Sequence, residues 1–558
     1  LRFHPRQISF PFSLSSSLNR SLPDGMIAPL HTSMGTRALY GHYAGRTTGM
    51  DILSTAEIQS IEWDASGQLH ATLFPPALLK PQTLMFWETG VFDENILSVR
   101  FARPLSPRLY IGVFSTSRYF EHTLFDHQDG GIYSFYKGIY NSLRRDTNLV
   151  VNNGVNPLTD EHITTGRLRW ESLSDWWLMG EYRYSDLKND LAVDLPDTIL
   201  PEEQSFFTKR SFYEHRTTFW ANNLPAGAAR LNATLRYRNF LERRDPRFDD
   251  TTSNRGTAQN GLLILSPYLR LFSIDTLTLN ATVEGTSLER FNDQDYTYHS
   301  ETASLAYKHS IDHSRIEGEI YAEAGGATLF ARDNLTVQPF WSARAHVDIG
   351  NHNFSLFGNR NIIEPTIPFD TISDGLLQTD LDSYIHAGAE TTIGLGQMNL
   401  LGGYQYTNGI DPASLEQFWP NGVTPYIQPT STFIAGVQTG RLHGLSMAST
   451  WYFADRRPYI KSHSVLSFQS RLQEKYQQFF VDMVIDHWSE RDPILFAGNT
   501  DWNRMLLDIS LKISVQVKTF RLFWKLDNIL NRELAYVPGY RSPGLTFRWG
   551  FNWLLRGL

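Results

Sequence analysis

The feature that most constrains this chain is a strict alternation of apolar and polar residues near its C-terminal end. In RMLLDISLKISVQVKTFRLFWKLD, residues 504–527, apolar residues alternate with polar ones up to Val517 and again from Phe520. Successive side chains of a strand point to opposite faces, so each half is predicted to be a strand with one apolar and one polar face. The connection Lys518-Thr519 predicts a hairpin. The apolar face must then contact either the core of a soluble sandwich or lipid.

The same alternating unit recurs from about residue 83 onward. Roughly twenty to twenty-three stretches fit the period-two pattern of a strand. Examples are DTLTLNATVEG, ARLNATLRYRN and RIEGEIYAEA. They run about ten residues or more, which is the length that a tilted strand needs to cross a bilayer. Strands of soluble sandwiches and propellers usually run about five or six residues, so strand length favours a membrane barrel.

The connections between these stretches alternate in many places between tight and long. Tight connections are predicted around 104–107, 173–175, 223–227, 350–352, 394–397, 441–444 and 518–519. Long polar segments are predicted as loops: LKNDLAVDLPDTILPEEQ, ERRDPRFDDTTSNRGTA, IEPTIPFDTISDGLLQTD and NGIDPASLEQFWPNGVTPY. Short turns on one rim and long loops on the other are typical of membrane barrels. Between Tyr119 and Thr164 the alternation cannot be read.

The fold class predicted is therefore all-β, a large closed antiparallel transmembrane β-barrel of about 20–22 strands. The sheet must close because lipid offers no partner to an unpaired backbone group. Residues 1–82 are expected to form an N-terminal segment, and residues 83–558 the barrel. A soluble sandwich or propeller is the alternative.

Composition excludes several other classes of protein. The chain has no cysteine, so it has neither disulfides nor thiolate metal sites. No apolar stretch reaches the roughly 20 residues that a membrane helix requires. The net charge of −8 gives no reason to expect nucleic acid as a partner. The chain opens at Leu1 without Met or an apolar leader, so an export signal is expected to have been removed or never included.

The C-terminal stretch NILNRELAYVPGYRSPGLTFRWGFNWLL resembles the end of TonB-dependent outer-membrane receptors. The matching elements are Asn528 to Asn531, Pro538-Gly539-Tyr540, Pro543-Gly544 and Thr546-Phe547. Leu545 stands where the family usually has Arg. The resemblance covers about thirty residues, and it implies a barrel in the outer membrane of a Gram-negative-type bacterium.

The closing RWGFNWLL also resembles the signal that the barrel-assembly machinery reads, which makes that machinery an expected partner. The residues that match the signal are Arg548, Gly550, Trp553 and Leu555. Three further residues follow, and the usual terminal aromatic is missing. Phe547, Trp549, Phe551 and Trp553 share one strand face, where indole rings favour the headgroup region; outer-membrane lipid is therefore an expected partner.

Members of that family carry an N-terminal plug inside the barrel. Within residues 1–82, RALYGHYAG and IQSIEW resemble plug phrases, but in the reverse order, and the segment is shorter than the family's plug. Three interpretations stay open: a reduced plug, a truncated chain, or extra strands. No TonB box is recognisable. The partner therefore stays open between a TonB-type energiser and a surface partner protein.

Two clusters contain residue types that serve in catalysis or metal binding. EHTLFDHQD brings Glu121, His122, Asp126 and His127 into one loop, where they are weak metal candidates because the spacing is not that of a metal motif. DHWSERD, residues 486–492, contains Asp, His and Ser, but neighbours in a strand point to opposite faces. No cofactor and no enzymatic activity are predicted.

Charges on the polar strand faces are expected to line the lumen, where rings of charge select solutes by sign. The candidate lumen residues are Arg230, Arg236, Arg238, Lys512, Arg521, Lys525, Glu284, Glu317, Glu319, Asp508 and Asp527. The alternative is that these charges only hydrate the lumen or hold a plug in place.

The function expected is transport or binding of a solute at the cell surface, by a receptor-like or porin-like barrel. A second hypothesis is a barrel that anchors a multi-protein outer-membrane complex. A third is an outer-membrane hydrolase, which would depend on His127 or His487.

Overall fold

The computed structural model describes most of the predicted strands of this 558-residue chain. The described residues are 28–32, 37–43, 46–48, 58–63, 69–73, 81–90, 95–121, 158–190, 207–246, 254–271, 274–291, 294–313, 315–331, 334–363, 382–409, 430–455, 459–471, 477–490, 505–532, 534–537, 540–542 and 545–556. No helix among them is long and apolar enough to cross a membrane.

Strands account for nearly all of the described residues. They are β1 (Ala28–Thr32), β2 (Arg37–Tyr43), β3 (Arg46–Thr48), β4 (Ile58–Trp63), β5 (Leu69–Leu73), β6 (Gln82–Gly90), β7 (Asn95–Ser106), β8 (Leu109–Glu121), β9 (Leu158–Glu171), β10 (Trp177–Asp190), β11 (Phe207–Ala226), β12 (Ala229–Pro246), β13 (Asn254–Leu271), β14 (Asp275–Phe291), β15 (Gln294–His313), β16 (Ile316–Ala331), β17 (Asn334–Ile349), β18 (His352–Ile363), β19 (Asp382–Leu395), β20 (Met398–Gly409), β21 (Thr430–Thr439), β22 (Leu445–Ala454), β23 (Ile460–Arg471), β24 (Gln477–Trp488), β25 (Leu506–Val517), β26 (Phe520–Asp527), β27 (Leu534–Val537), β28 (Tyr540–Ser542) and β29 (Thr546–Arg556).

Strands β6 to β26 and β29 form one closed antiparallel barrel of 22 strands. Each strand pairs with its neighbours in the chain, and the ring closes where β29 pairs with both β26 and β6. Closure satisfies the backbone groups that an open sheet would leave unpaired at its edges. The predicted fold class, a closed antiparallel barrel of about 20–22 strands, is confirmed.

Two smaller sheets accompany the barrel. β1 to β5 form a five-stranded sheet in the order β3-β2-β1-β5-β4, in which β1 and β5 are parallel. This sheet contains RALYGH and IQSIEW, and it lies in the chain before Gln82, where the barrel begins. β27 and β28 pair with each other between β26 and β29.

Tight turns connect alternate barrel strands on one rim, as the sequence predicts. Residues with positive φ mark many of them, among them Asp175, Gly227, Gly350, Gly396, Gly444 and Lys518. On the other rim the predicted alternation with long loops fails at β14–β15 and β16–β17, where Phe291 pairs with Gln294 and Ala331 with Asn334. The bounds of one predicted loop are wrong: in ERRDPRFDDTTSNRGTA, β12 extends to Pro246 and β13 begins at Asn254, with Arg244 paired to Asn254. Cross-strand pairing continues there although the residues are polar, because strand pairing does not require an apolar face. Most of the other three predicted loops, and the unreadable stretch from 122 to 157, lie outside the described residues.

Burial in the barrel is the reverse of that in a soluble sandwich. Along β25 the polar residues Asp508, Ser510 and Ser514 are buried, whereas the apolar residues between them are partly exposed. Elsewhere Leu279 and Phe219 are among many large apolar side chains that are more than half exposed. A sandwich would bury its apolar faces against each other. The apolar face therefore points out of the barrel, and the polar face forms its inner wall.

Candidate functional site

The inner wall carries the charged residues that the sequence singles out. Strand register places all eleven candidates on the polar face: Arg230, Arg236, Arg238, Lys512, Arg521, Lys525, Glu284, Glu317, Glu319, Asp508 and Asp527. Their contact with a solute stays a prediction. The structure divides ten of them among three sectors of the wall, which differ in burial and in the partners of each carboxylate. The other candidate, Arg230, lies near a tight turn, where its Nη1 donates to Asn223 O at 3.3 Å.

The first sector is centred on Glu181 in β10. Arg167 Nε donates to Glu181 Oε2 at 2.7 Å, and Arg216 Nη2 lies 3.4 Å from Glu181 Oε1. Arg183 Nη2 lies 3.9 Å from the same oxygen. The side chains of Arg167 and Arg183 are 0% exposed. One buried carboxylate is thus shared by three guanidinium groups. We call these buried arginines and their glutamate partners the arginine cluster.

The arginine cluster continues into β11, β12 and β14. Arg238 Nε lies 2.5 Å from Glu214 Oε1, and both side chains are buried. Arg236 Nη2 lies 3.3 Å from Glu284 Oε1, and Asn260 Nδ2 donates to the same carboxylate oxygen at 2.6 Å. Arg236 and Glu284 were both predicted to face the lumen, and the structure brings them together.

The second sector surrounds the strands that close the barrel. Lys525 Nζ lies 3.0 Å from Asp527 Oδ2, and Arg548 Nη1 lies 3.6 Å from the same oxygen. Lys512 lies directly opposite Lys525 in the register of β25 and β26. The ammonium of Lys512 lies 4.7 Å from the centroid of the Phe523 ring.

Asp508 and Arg521 lie on either side of that group along the strands. Asp508 is buried opposite Asp486. Arg521 Nε and Nη2 both donate to Ser514 Oγ, at 2.9 and 2.6 Å.

The third sector, on β15 to β17, is open to solvent. Arg344 Nη2 donates to Glu319 Oε1 at 2.9 Å, and Lys308 donates to the other oxygen of the same carboxylate. The side chains of Lys308 and Arg344 are each 45% exposed. Glu317 is exposed as well.

Two further carboxylates of the third sector are held mainly by neutral groups. Glu323 accepts hydrogen bonds from Asn280, Ser304 and Tyr321. Asp348 accepts a hydrogen bond from Asn353 Nδ2 at 2.6 Å and lies 3.1 Å from His346 Nε2. Amide and hydroxyl donors orient a carboxylate without cancelling its charge.

Sequence reasoning did not single out several members of the arginine cluster, namely Arg167, Glu181, Arg183, Glu214 and Arg216. Their strands do alternate, and that signal would have placed them on the polar face. Adjacent strands meet at Arg167↔Glu181 and Arg183↔Arg216. Such pairings depend on cross-strand register, which periodicity alone does not give.

The candidates for catalysis lie only partly within the described residues. His122, Asp126 and His127 lie outside the described residues, and Glu121 is the last residue of β8. Asp486 lies on the inner wall, where His463 Nδ1 is 2.6 Å from its Oδ1, whereas the neighbouring His487 points to the outer face. No group of three or more metal-ligating side chains occurs among the described residues.

The C-terminal residues that resemble the receptor family have a clear structural role. Asn528 has φ 52°, and its side chain bonds both the N–H and the C=O of Arg532, at 3.1 and 2.6 Å. Asn531 Oδ1 accepts from Leu545 N at 2.9 Å, just before β29. In β29, Arg548 and Gly550 face inward, and Trp553 and Leu555 face outward. Recognition of these four residues by an assembly machinery stays a prediction.

Comparison with solved structures finds the same fold in an iron transporter, a ferric enterobactin receptor and a siderophore receptor. The FrpB iron transporter of Neisseria meningitidis, F3-3 variant, matches with TM-score 0.68 and 10% identity over 100% of this chain and 98% of that one. A mutant of the ferric enterobactin receptor PfeA of Pseudomonas aeruginosa matches with TM-score 0.66 and 11% identity, over 96% and 91% of the two chains. The siderophore receptor PirA of Acinetobacter baumannii matches with TM-score 0.65 and 9% identity over the same shares.

No family model and no curated protein matches the sequence. At identities of 9–11%, the likeness to these structures shows a shared fold.

Proposed function

We propose that this chain is a β-barrel of the outer membrane of a Gram-negative-type bacterium, which binds a solute at the cell surface and admits it through the lumen. The main observation behind the proposal is that the closed 22-strand barrel exposes apolar side chains on its outer face and carries polar side chains on its inner wall, the reverse of a water-soluble protein. Apolar side chains cover the outer face as lipid requires, and the inner wall holds a network of charges. Outer-membrane lipid and the barrel-assembly machinery are the partners that such a barrel needs.

The solved structures with this fold suggest which solutes to test first. They are an iron transporter and siderophore receptors. Iron complexes are therefore the first class of solute to test. The same solved structures favour a receptor or transporter over an enzyme as the function of this chain.

The five-stranded sheet of β1 to β5 is proposed to act as a reduced plug. Two features support this role: the sheet is separate from the barrel sheet, and it precedes the barrel in the chain. A plug that must move to admit a solute needs an energy source, so a TonB-type energiser is the proposed partner on the short-turn side.

The proposal is tested by locating the protein and measuring uptake in the bacterium that produces it. We expect the chain in the outer-membrane fraction, and we expect a deletion strain to lose growth or uptake on at least one iron complex of a panel. Restoring the gene should restore uptake. A chain that is monodisperse in buffer without detergent would contradict the proposal.

The same experiment separates the other hypotheses. Full uptake by the deletion strain, together with loss of a surface complex, would identify an anchor for a multi-protein complex instead. A hydrolase would show an activity that disappears when His127 or His487 is changed.

A further inference from the structure

We propose that residues 1–81 dock against one side of the lumen, the inner face of β6 to β10, and leave the inner face of β15 to β17 open to water. We call the inner face of β6 to β10 the docking wall. The inference rests on the proposed function, because it specifies where the proposed plug binds. It depends on the burial of apolar side chains on the docking wall, on a matched pair of contacts elsewhere in the ring, and on where residues 1–81 join the barrel.

Apolar side chains on the docking wall are buried although they face the inside of the barrel. Strand register places them on the same face as Arg167 and Glu181. Those that are at most 7% exposed include Leu84, Phe86, Ile96, Phe114, Ile163 and Met179. A barrel of 22 strands is too wide for side chains of opposite walls to meet across it. Protein inside the lumen must therefore cover the docking wall.

A matched pair of contacts shows that the wall itself does not produce this burial. Phe114 in β8 and Tyr321 in β16 both lie on the inner face, and each is the sixth residue of a strand that begins at a tight turn. The guanidinium carbon of Arg167 lies 4.9 Å from the centroid of the Phe114 ring, and that of Arg344 lies 5.1 Å from the centroid of the Tyr321 ring. Each arginine also binds a glutamate of an adjacent strand.

The two arginines nevertheless differ in exposure. The side chain of Arg167 is 0% exposed, whereas that of Arg344 is 45% exposed. Because the local contacts are alike, the difference comes from what lies in the lumen beside each wall. The docking wall is covered, and the wall of β15 to β17 is not.

Residues 1–81 are the segment of this chain that is best placed to cover the docking wall. They directly precede β6, which is itself a strand of that wall, so the segment joins the barrel there. The strands of its sheet have 3–7 residues, whereas the barrel strands have 8–20. A sheet of five such strands is too small to fill a ring of 22, so it covers one side of the lumen.

The test is photochemical cross-linking within the purified full chain in detergent micelles. The photoreactive residue p-benzoylphenylalanine replaces Phe114 in one variant and Tyr321 in the matched control, and cross-linked peptides are mapped by mass spectrometry after irradiation. We expect the variant at Phe114 to form links to residues 1–81. The variant at Tyr321 should form several-fold fewer links to that segment.

A second variant keeps the test independent of how well the first one folds. It carries the photoreactive residue at Phe86, whose ring is buried on the docking wall in β6. Only chains with the folded gel mobility are irradiated. Links from Phe114 and Phe86 to barrel strands or to the long loops alone would overturn the inference, because those parts would then be the cover. Links to residues 1–81 in equal yield from Tyr321 would also overturn it.

Failure of the inference is distinguishable from failure of the proposed function. If the deletion strain loses uptake but the cross-links do not favour the docking wall, only the inference fails. If the chain is absent from the outer membrane and its deletion leaves uptake intact, the proposed function fails, whatever the cross-links show.

Discussion

Glu181 shows at the scale of one residue how the inner wall depends on charge pairing. Its side chain is 2% exposed, and it contacts Arg167, Arg183 and Arg216. Removing one partner from a buried ion pair leaves uncompensated charge in a site that water cannot reach.

We predict that Glu181→Gln lowers the free energy of unfolding by about 3 to 5 kcal/mol, because three buried guanidinium groups lose their shared counter-charge. The measurement is urea unfolding in lipid vesicles, followed by the gel mobility of folded and unfolded chains. Glu301→Gln is the control, since an exposed pair contributes little. Equal stability of Glu181→Gln and the unmodified chain would show that the arginines do not depend on this carboxylate.

Leu305 gives a residue-scale test of what surrounds the barrel. It lies on the outer face of β15 and is 52% exposed. Leu305→Arg should cost about 2 to 4 kcal/mol if the side chain faces the middle of a bilayer. In a water-soluble protein the same surface change would usually stay within about 0.5 kcal/mol.

The measurement for Leu305 is again unfolding in vesicles. Thr297→Arg is the control, since Thr297 is exposed on the same face and strand but lies close to the end of the strand at Gln294. A cost at Leu305 no larger than at Thr297 would contradict contact with lipid.

At the scale of the strand, glycines let aromatic rings lie across neighbouring strands on the inner wall. Phe523 pairs directly with Gly550, and its ring stacks on Phe86 at 5.8 Å. A Cβ on Gly550 would collide with the carbonyl oxygen of Trp87 and lie 2.8 Å from the Phe523 ring. Phe340 covers Gly325 in the same way. Aromatic cover of a strand glycine helps to fix the register of a sheet.

We predict that Gly550→Ala impairs closure of the barrel between β26, β29 and β6, because the added methyl has no room. The readout is the fraction of chain that reaches the folded gel mobility after refolding into detergent micelles. Gly261→Ala is the matched control, because nothing lies within 4 Å of the position of its Cβ. The prediction fails if the two variants fold equally well. Refolding without cell extract keeps this effect separate from any role of Gly550 as an assembly signal.

At the scale of the whole molecule, every strand of the barrel lies between Gln82 and Arg556, and β29 pairs with β6 to complete the ring. The sheet of β1 to β5 contributes no strand to that ring. Backbone pairing in the barrel is therefore complete without the first 81 residues.

We predict that a chain lacking residues 1–81 still folds into a closed barrel, and that its conductance in a planar bilayer exceeds that of the full chain. The second expectation follows from the proposal that the sheet of β1 to β5 acts as a plug. Folding is checked by gel mobility and circular dichroism. Loss of the folded form would show that the barrel needs this segment, and an unchanged conductance would show that the segment does not obstruct the lumen.

The sequence by itself determined the fold class, the approximate number of strands and the face on which each side chain lies. These features are local, because period-two alternation fixes the face of a residue and the turn residues fix where a strand reverses. It also placed the eleven predicted charges on the polar face of their strands. The sequence did not predict where β12 ends, since Arg244 and its neighbours are polar but still pair with β13.

Only the tertiary structure decided which charges meet and which of them reach solvent. Arg167, Glu181 and Arg216 come from three strands, and their contact depends on how far each strand is shifted relative to the next. Alternation gives the face of a residue but not its height in the barrel. The burial of the arginine cluster and the exposure of Lys308 and Arg344 likewise depend on the rest of the molecule, because exposure is set by what lies across from a side chain and not by its own strand.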